Sequence, residues 1–486
     1  MTSGCVPKPP AIATPRAPNR VVPDSFAGLT DTRNSGMIQW RDFFPDPHLV
    51  ALVEAALKQN QELNLAIQET VVANAEVMAR RGEYLPKVGF GVRPGVERVG
   101  EFTTQGRSDE ANGIGPTLQR HEFGLYASWE IDVWGRLRNL AKAASRRYLA
   151  SVEGRNFMVT RLVADISSRY YELLALDRQL QVVTDNIALQ ERALEAARAQ
   201  FEAGRTTSVG PARFEATLRA MQSSRYTIQQ RIVETENELN FLAGRFPQAI
   251  ERSKTNFLDL QPAAMAVGVP ADLLANRPDV RQAELELAAA GLDVQAAKAA
   301  FYPSLGIESV IGFQSYDVTK LVSTPDSLLF GMFGRAFAPM LNRKGIQADY
   351  YSANSREMQA VLRYERAVLV AFVEVSNRVS LTRNLKDSYG LKLQQVARLA
   401  QSVEASTELF NSARADYLEV LTARRELLEA QQEVVEMKQR QMAAMVTLYQ
   451  ALGGGWRGSG LTPAEGTPDA DPLRKPNPQQ KKEVRN

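Results

Sequence analysis

The sequence has few of the residues that most often carry chemistry. One cysteine, Cys5, stands among 486 residues, which excludes an intramolecular disulfide framework. The two histidines, His48 and His121, lie far apart with no cysteine or carboxylate cluster at ligand spacing. They read as surface or loop residues, and no metal is assigned. Apolar runs never approach the ~18 residues of a membrane-spanning helix. A helical membrane protein is therefore excluded, whereas a β-barrel is not, because its alternating strands keep hydropathy low. Neither sign of charge dominates, with 58 basic against 55 acidic residues, so nothing points to nucleic acid. A Gly-rich phosphate loop and a nucleophile constellation are also missing, so no catalytic residue or cofactor is assigned. Proline is absent from two long stretches, 137–203 and 346–412.

What the sequence does contain is a repeat. Leu239-Asn240-Phe241-Leu242-Ala243-Gly244 falls opposite Leu448-Tyr449-Gln450-Ala451-Leu452-Gly453, 209 residues on. At the same offset Phe201 meets Phe410 and Asp165 meets Glu374. A repeated supersecondary unit governs the fold before any local motif does. In the first copy Leu173, Leu176, Leu180, Val183, Ile187, Leu194, Ala197 and Phe201 recur at three- and four-residue steps, as Leu385, Tyr389, Val396, Leu399, Val403 and Phe410 do in the second. This is a coiled-coil seam, interrupted by polar Gln190 and Lys392. Helices over 137–203 and 346–412 would each reach roughly 100 Å at ~1.5 Å per residue. Return helices follow over 212–243 and 417–452, with hairpin tips at 204–211 and 413–418.

Ahead of each hairpin a helix, 46–84 or 277–301, stops before Pro86 or Pro303, as proline disfavours the α conformation of its predecessor. Strands follow. Val88, Phe90 and Val92 alternate with Gly89, Gly91 and Arg93; Phe123, Leu125, Ala127, Trp129 and Ile131 alternate with Gly124, Tyr126, Ser128, Glu130 and Asp132. Leu305, Ile307, Ile311 and Phe313 share a face in the third strand, and the fourth, over 328–338, alternates poorly. Period-2 patterns of this length suit strands with one apolar and one polar face, including barrel strands. Polar, Gly-rich loops at 98–121 and 315–326 connect them. The expected division is 1–45, an extended Pro-rich and anchoring segment; 46–84 and 277–301, proximal helices; 85–136 and 302–345, β-hairpins; 137–244 and 346–453, helical hairpins; 245–276 and 454–486, linker and tail.

Arg277-Pro278-Asp279-Val280-Arg281-Gln282-Ala283-Glu284, Phe301-Tyr302-Pro303-Ser304-Leu305, Trp129-Glu130-Ile131-Asp132-Val133-Trp134-Gly135-Arg136 and Tyr449-Gln450-Ala451-Leu452-Gly453-Gly454-Gly455-Trp456 occur as an ordered set. The set resembles the TolC-type outer-membrane factors, and within them the OprM/NodT-like lipoprotein subgroup, over residues 25–457. The same residues have plain physical roles. The glycines stop a helix, Asp279 is placed to cap one, and Trp129 and Trp134 suit either a membrane boundary or a packed junction. The resemblance implies a mainly α fold with β: duplicated α-helical hairpins forming an α-barrel tunnel, and four strands per chain completing a trimeric 12-stranded β-barrel. It implies an efflux duct of a tripartite RND-type system, exporting small molecules such as drugs, with a homotrimer, a periplasmic adaptor, an inner-membrane RND transporter and outer-membrane lipid as partners.

The resemblance also places a gate at the hairpin tips. Tyr417 and Leu418 match the family's constriction pair, with Asp416 and Glu419 as carboxylates and Arg414 as an inter-helix partner. Thr422 and Asn411 stand where relatives carry Asp and Arg, so the polar gate is not copied wholesale. A tip that contacts an adaptor explains Arg414, Asp416 and Glu419 equally well. Ser3-Gly4-Cys5 resembles the end of a lipobox, with Thr2 in place of its usual leucine, and marks Cys5 as the lipid attachment. The alternatives are a type I secretion duct and, from a different class, a soluble coiled-coil scaffold. The scaffold accounts for the heptads but not for the strands.

Overall fold

The structure, a computed structural model, describes residues 16–26, 33–204, 207–253, 255–340, 343–412 and 417–459. Cys5, Arg414 and Asp416 lie outside the described residues. Among the described residues the helices are α1 (Trp40–Phe43), α2 (Pro47–Gln59), α3 (Gln61–Glu83), α4 (Thr104–Ala111), α5 (Arg136–Glu202), α6 (Val209–Leu242), α7 (Asp272–Asn276), α8 (Pro278–Ala299), α9 (Lys344–Asn411) and α10 (Tyr417–Ala451). The strands are β1 (Lys87–Arg98), β2 (Thr117–Ile131), β3 (Ser304–Ser315) and β4 (Leu328–Phe337). The chain folds as two compact units. One is built mainly from Val71–Leu149 and Glu284–Arg363, the other from Asn19–Thr70, Ala150–Ala283 and the chain from Tyr364 onward.

The first unit holds a single antiparallel sheet in the order β1-β2-β3-β4. Its register aligns Phe90, Leu125, Ile311 and Phe330 in one row across all four strands, and Val92, Phe123, Phe313 and Leu328 in another. Because alternate residues face opposite ways, both rows lie on one face. Gly124 pairs with Gly312 on the opposite face, where a Cβ on either would run into the other's backbone. The loop expected over 98–121 is shorter than the sequence suggests. β2 begins at Thr117, and α4 occupies the middle, capped by the Thr103 hydroxyl accepting from the Gly106 amide at 3.1 Å.

The second unit is helical. Val159, Leu162, Ile166, Leu173, Leu176, Val183, Ile187 and Leu194 of α5 pack with Phe214, Leu218, Met221, Ile228 and Ile232 of α6 and with Leu421, Leu428, Val435 and Met442 of α10. The seam ends short of Phe201, which is exposed. Gln190, expected as an interruption, is fully buried and donates across the hairpin to the Phe214 carbonyl at 3.1 Å. Its second-hairpin counterpart in role is Gln441, which donates to the Leu385 carbonyl at 3.0 Å. Lys392 pairs with Glu433.

Two proximal-helix expectations are corrected. The helix over 46–84 is broken at Asn60, which ends α2 and caps α3, its Oδ1 accepting from the Leu63 amide at 2.8 Å. The helix over 277–301 begins at Pro278, so Asp279 lies inside its first turn. There it receives the Arg277 guanidinium through Nε at 3.0 Å and Nη2 at 2.8 Å rather than capping the helix.

These two breaks form a pseudo-symmetric pair of joints. Asn60 and Arg277 are 217 residues apart, and Leu242 and Ala451 are 209 apart. Asn60 Nδ2 donates to the Leu242 carbonyl at 2.9 Å, while Arg277 Nη1 donates to the Ala451 carbonyl at 2.8 Å. Past each return helix, Gly244 (φ 70°) and Gly453 (φ 83°) adopt left-handed conformations that L side chains avoid. They press on the Gln59–Asn60 and Asn276–Arg277 backbones respectively, leaving no room for a Cβ.

Candidate functional site

The sheet separates its chemistry by face. On the side of the apolar rows, Val88, Phe90, Val92, Leu125, Ile311, Phe330 and Met332 are all exposed, Phe330 and Met332 at 77%. A contiguous exposed apolar surface of this kind is uncommon on a soluble monomer. The other face carries charges in matched pairs. Arg93 and Arg120 approach Glu122 at 3.9 and 3.7 Å, Arg120 reaches Glu97 at 3.7 Å, and Arg335 reaches Glu308 at 3.4 Å. The Tyr126 hydroxyl donates to Glu122 at 2.5 Å, and the Arg93 guanidinium lies 4.3 Å from the Tyr126 ring centre. The third strand explains why alternation is clear there, and β4 why it is not: Phe333 and Phe337 stand on the polar face and are exposed. Both edge strands, β1 and β4, have a free side.

At the strand ends the two tryptophans pack at the junctions with the neighbouring chain segments. Trp129 Nε1 donates to the Tyr84 carbonyl at 3.0 Å. Trp134 Nε1 donates to the Pro303 carbonyl at 2.8 Å, with its ring stacked on Tyr302 at 4.8 Å. Each indole nevertheless stays partly exposed, the amphipathic placement of an interfacial aromatic. Asp132 accepts from the Leu137 and Arg138 amides at 3.1 and 2.9 Å and so starts α5, where a carboxylate suits the helix N-terminus.

At the hairpin tips Leu418 lies in the first turn of α10 and is 45% exposed, beside an exposed Glu419. Val420 and Leu421, which follow, are buried, so burial sets in within the first turn of α10. Tyr417 opens the helix, and its side chain lies outside the described residues. Three further apolar side chains are exposed near the tips, Phe201, Val209 and Leu409. Sequence reading missed Val209 and Leu409; an apolar residue adjoining a hairpin turn was the available signal. It also missed Arg424. This half-buried guanidinium donates from Nη1 to the Leu189 carbonyl at 3.3 Å, and burial holds its pKa below the ordinary value.

Among the described residues no helix is long and apolar enough to cross a membrane. Residues 52–245 and 269–454 match the outer membrane efflux protein family. The chain belongs to that family. The outer membrane protein TtgF of a Pseudomonas putida toluene efflux pump is 30% identical over 427 residues, 86% of this chain and 86% of that protein. The cation efflux system protein CusC of Escherichia coli is 27% identical over 448 residues, 90% of this chain and 94% of that protein. The crystal structure of CusC superimposes with a TM-score of 0.79 at 25% identity, covering 92% of this chain and 99% of that one. SilC of Salmonella typhimurium, a probable outer membrane lipoprotein, is 27% identical over 462 residues, 93% of this chain and 96% of that protein. This efflux protein is thus an outer-membrane channel, with helical hairpins and a β-sheet of the TolC-like kind.

Proposed function

We propose that three copies of this chain form a duct. The carrying observation is the four-stranded sheet with one exposed apolar face, one charge-paired face and two open edges. Hydrocarbon leaves no backbone group unsatisfied except at high cost, so open edges must be closed. Three sheets in sequence give twelve antiparallel strands, with the apolar rows toward lipid and the Arg–Glu pairs toward the lumen. Cys5 would carry a lipid anchor, which suits the resemblance to a lipoprotein such as SilC. A periplasmic adaptor and an inner-membrane RND transporter would complete a tripartite assembly that supplies energy and selects substrate. The cargo is small molecules; the relatives' names mention cations and toluene, chemistries too different for one dedicated binding site.

The gate is assigned to the hairpin tips. Three Leu418 side chains, each half-exposed in its own chain, would make an apolar constriction that resists wetting. Tyr417, Glu419 and, from the sequence, Arg414 and Asp416 would frame it. Conductance of the purified protein in planar bilayers tests this reading. Leu418→Ala should raise the opening frequency several-fold, and unchanged gating would remove Leu418 from the mechanism.

A further inference from the structure

We infer that Arg277 is the positioning residue of the gate, a clamp at the root of the second hairpin that sets where the tip rests; the inference rests on the gated-duct reading above. In both hairpins cationic side chains bridge the two helices at several heights, Arg169–Glu238 and Arg198–Glu215 in the first and Lys392–Glu433 in the second, and in each a guanidinium from outside the hairpin adds a further bridge. In the first hairpin Arg252, from the linker, pairs with Asp177 of α5 at 2.5 Å and with Glu236 of α6. At the matching positions of the second hairpin stand Lys386 and Met445, so that bridge has no copy there. In the second hairpin the guanidinium from outside reaches the root. Arg277 Nη1 donates to Glu374 of α9 at 2.8 Å and to the Ala451 carbonyl at the end of α10, also at 2.8 Å. Its side chain is 6% exposed, and Asp279 holds it bidentately.

The twin joint of the first hairpin lacks this device. Asn60 stands in place of Arg277, and its side chain joins the return helix, through the Leu242 carbonyl, to the start of α3, through the Leu63 amide. Asp165, the counterpart of Glu374, pairs within its own helix to Arg161 at 3.5 Å. Beyond these bridges further pairs join the helices, Arg198–Glu215 in the first hairpin and Lys392–Glu433 in the second, so each hairpin turns about its root as one body. The 33 residues from Leu418 to Ala451 span about 50 Å at ~1.5 Å per residue, so a tilt of roughly 5° at the root carries the tip about 4 Å. That displacement is on the scale of a leucine side chain. The charged, multiply bonded contact is thus placed where a small rotation has its largest effect on the constriction.

Single-channel recording of the full-length protein in planar bilayers tests the clamp. Arg277→Asn, which installs the first-repeat residue, and Glu374→Gln, which keeps the side chain's shape, should each raise the opening frequency at least about threefold. The double variant should rise no further, since both changes break one contact. Asp165→Asn should gate as wild type. Wild-type gating in Glu374→Gln, or additive effects in the double variant, would overturn the clamp. If Arg277→Asn does not assemble, Glu374→Gln decides alone, provided its melting temperature matches that of the wild type. A wild-type protein that does not conduct would sink the duct itself, whereas a conducting one with unaltered variants sinks only the clamp.

Discussion

Asp165 shows how duplication leaves a mark at single positions. Its counterpart Glu374 meets Arg277, whereas among the described residues Asp165 pairs with Arg161, on its own helix. Burial raises the Asp165 pKa; Arg161 and Arg169 oppose the shift, and Glu62 adds to it. A carboxyl raised in the folded state contributes stability that is fully present below the ordinary range near pH 4 and lost as pH rises through the folded value. Asp165→Asn should therefore melt above wild type at pH 7, with the difference closing toward pH 4; parallel melting curves across pH 4–8 would contradict this. The exposed pair with Arg161 offers little to lose. Arg277 behaves differently. Burial acts to lower its pKa, but Asp279 and Glu374 outweigh that and hold it above the ordinary value. The sequence marked Arg277-Pro278-Asp279 as a signature without revealing this contact, because Glu374 and Ala451 are 97 and 174 residues away. Comparing offsets of 209 and 217 would have aligned Asn60 with Arg277 and pointed to the joint.

Elements were the most legible scale. Three- and four-residue apolar spacing without proline, interrupted at Gln190 and Lys392, marks the 67 residues of α5 and the 68 of α9, since a long amphipathic face announces the packing that stabilises such a helix. Strand faces were equally plain in β2, where apolar and polar residues alternate. They were obscure in β4, because Phe333 and Phe337 occupy the charged face. The α2–α3 break at Asn60 went unseen, as Asn60 is a cap whose partners, the Leu63 amide and the Leu242 carbonyl, appear only on folding. The face assignment has a direct test. Phe330→Arg on the apolar row should cost about 2–4 kcal/mol if it meets hydrocarbon near the bilayer midplane. Ser128→Arg, on the opposite face, should be close to neutral. Equal losses of heat-resistant, membrane-inserted protein from the two variants would reject the proposed sidedness.

At the scale of the whole molecule, function depends on groups that one chain leaves incomplete. Its sheet has two open edges, its apolar rows face outward, and Phe201, Val209, Leu409 and Leu418 stand exposed at the helix ends. A threefold assembly would cover the edges and gather three Leu418 residues at one constriction. Detergent-extracted protein should therefore have the mass of a trimer and show threefold symmetry in images; a conducting monomer would contradict the proposed barrel. Cation and toluene efflux proteins share this fold at comparable identity. The proposed lumen, lined by mutually neutralised Arg–Glu pairs, would suit such a spread without a fitted pocket.

By itself the sequence determined the repeat, the long helices, the alternating strands and the family, because periodicity and motif order are properties of the chain alone. Only the tertiary structure decided that Asn60 and Arg277 are twin joints, that Glu374 and the Ala451 carbonyl meet one guanidinium, and that Leu418 stays half-exposed while Leu421 is buried. Those facts depend on groups far apart in sequence meeting in space, where burial and hydrogen-bond geometry, rather than local propensity, select the partner.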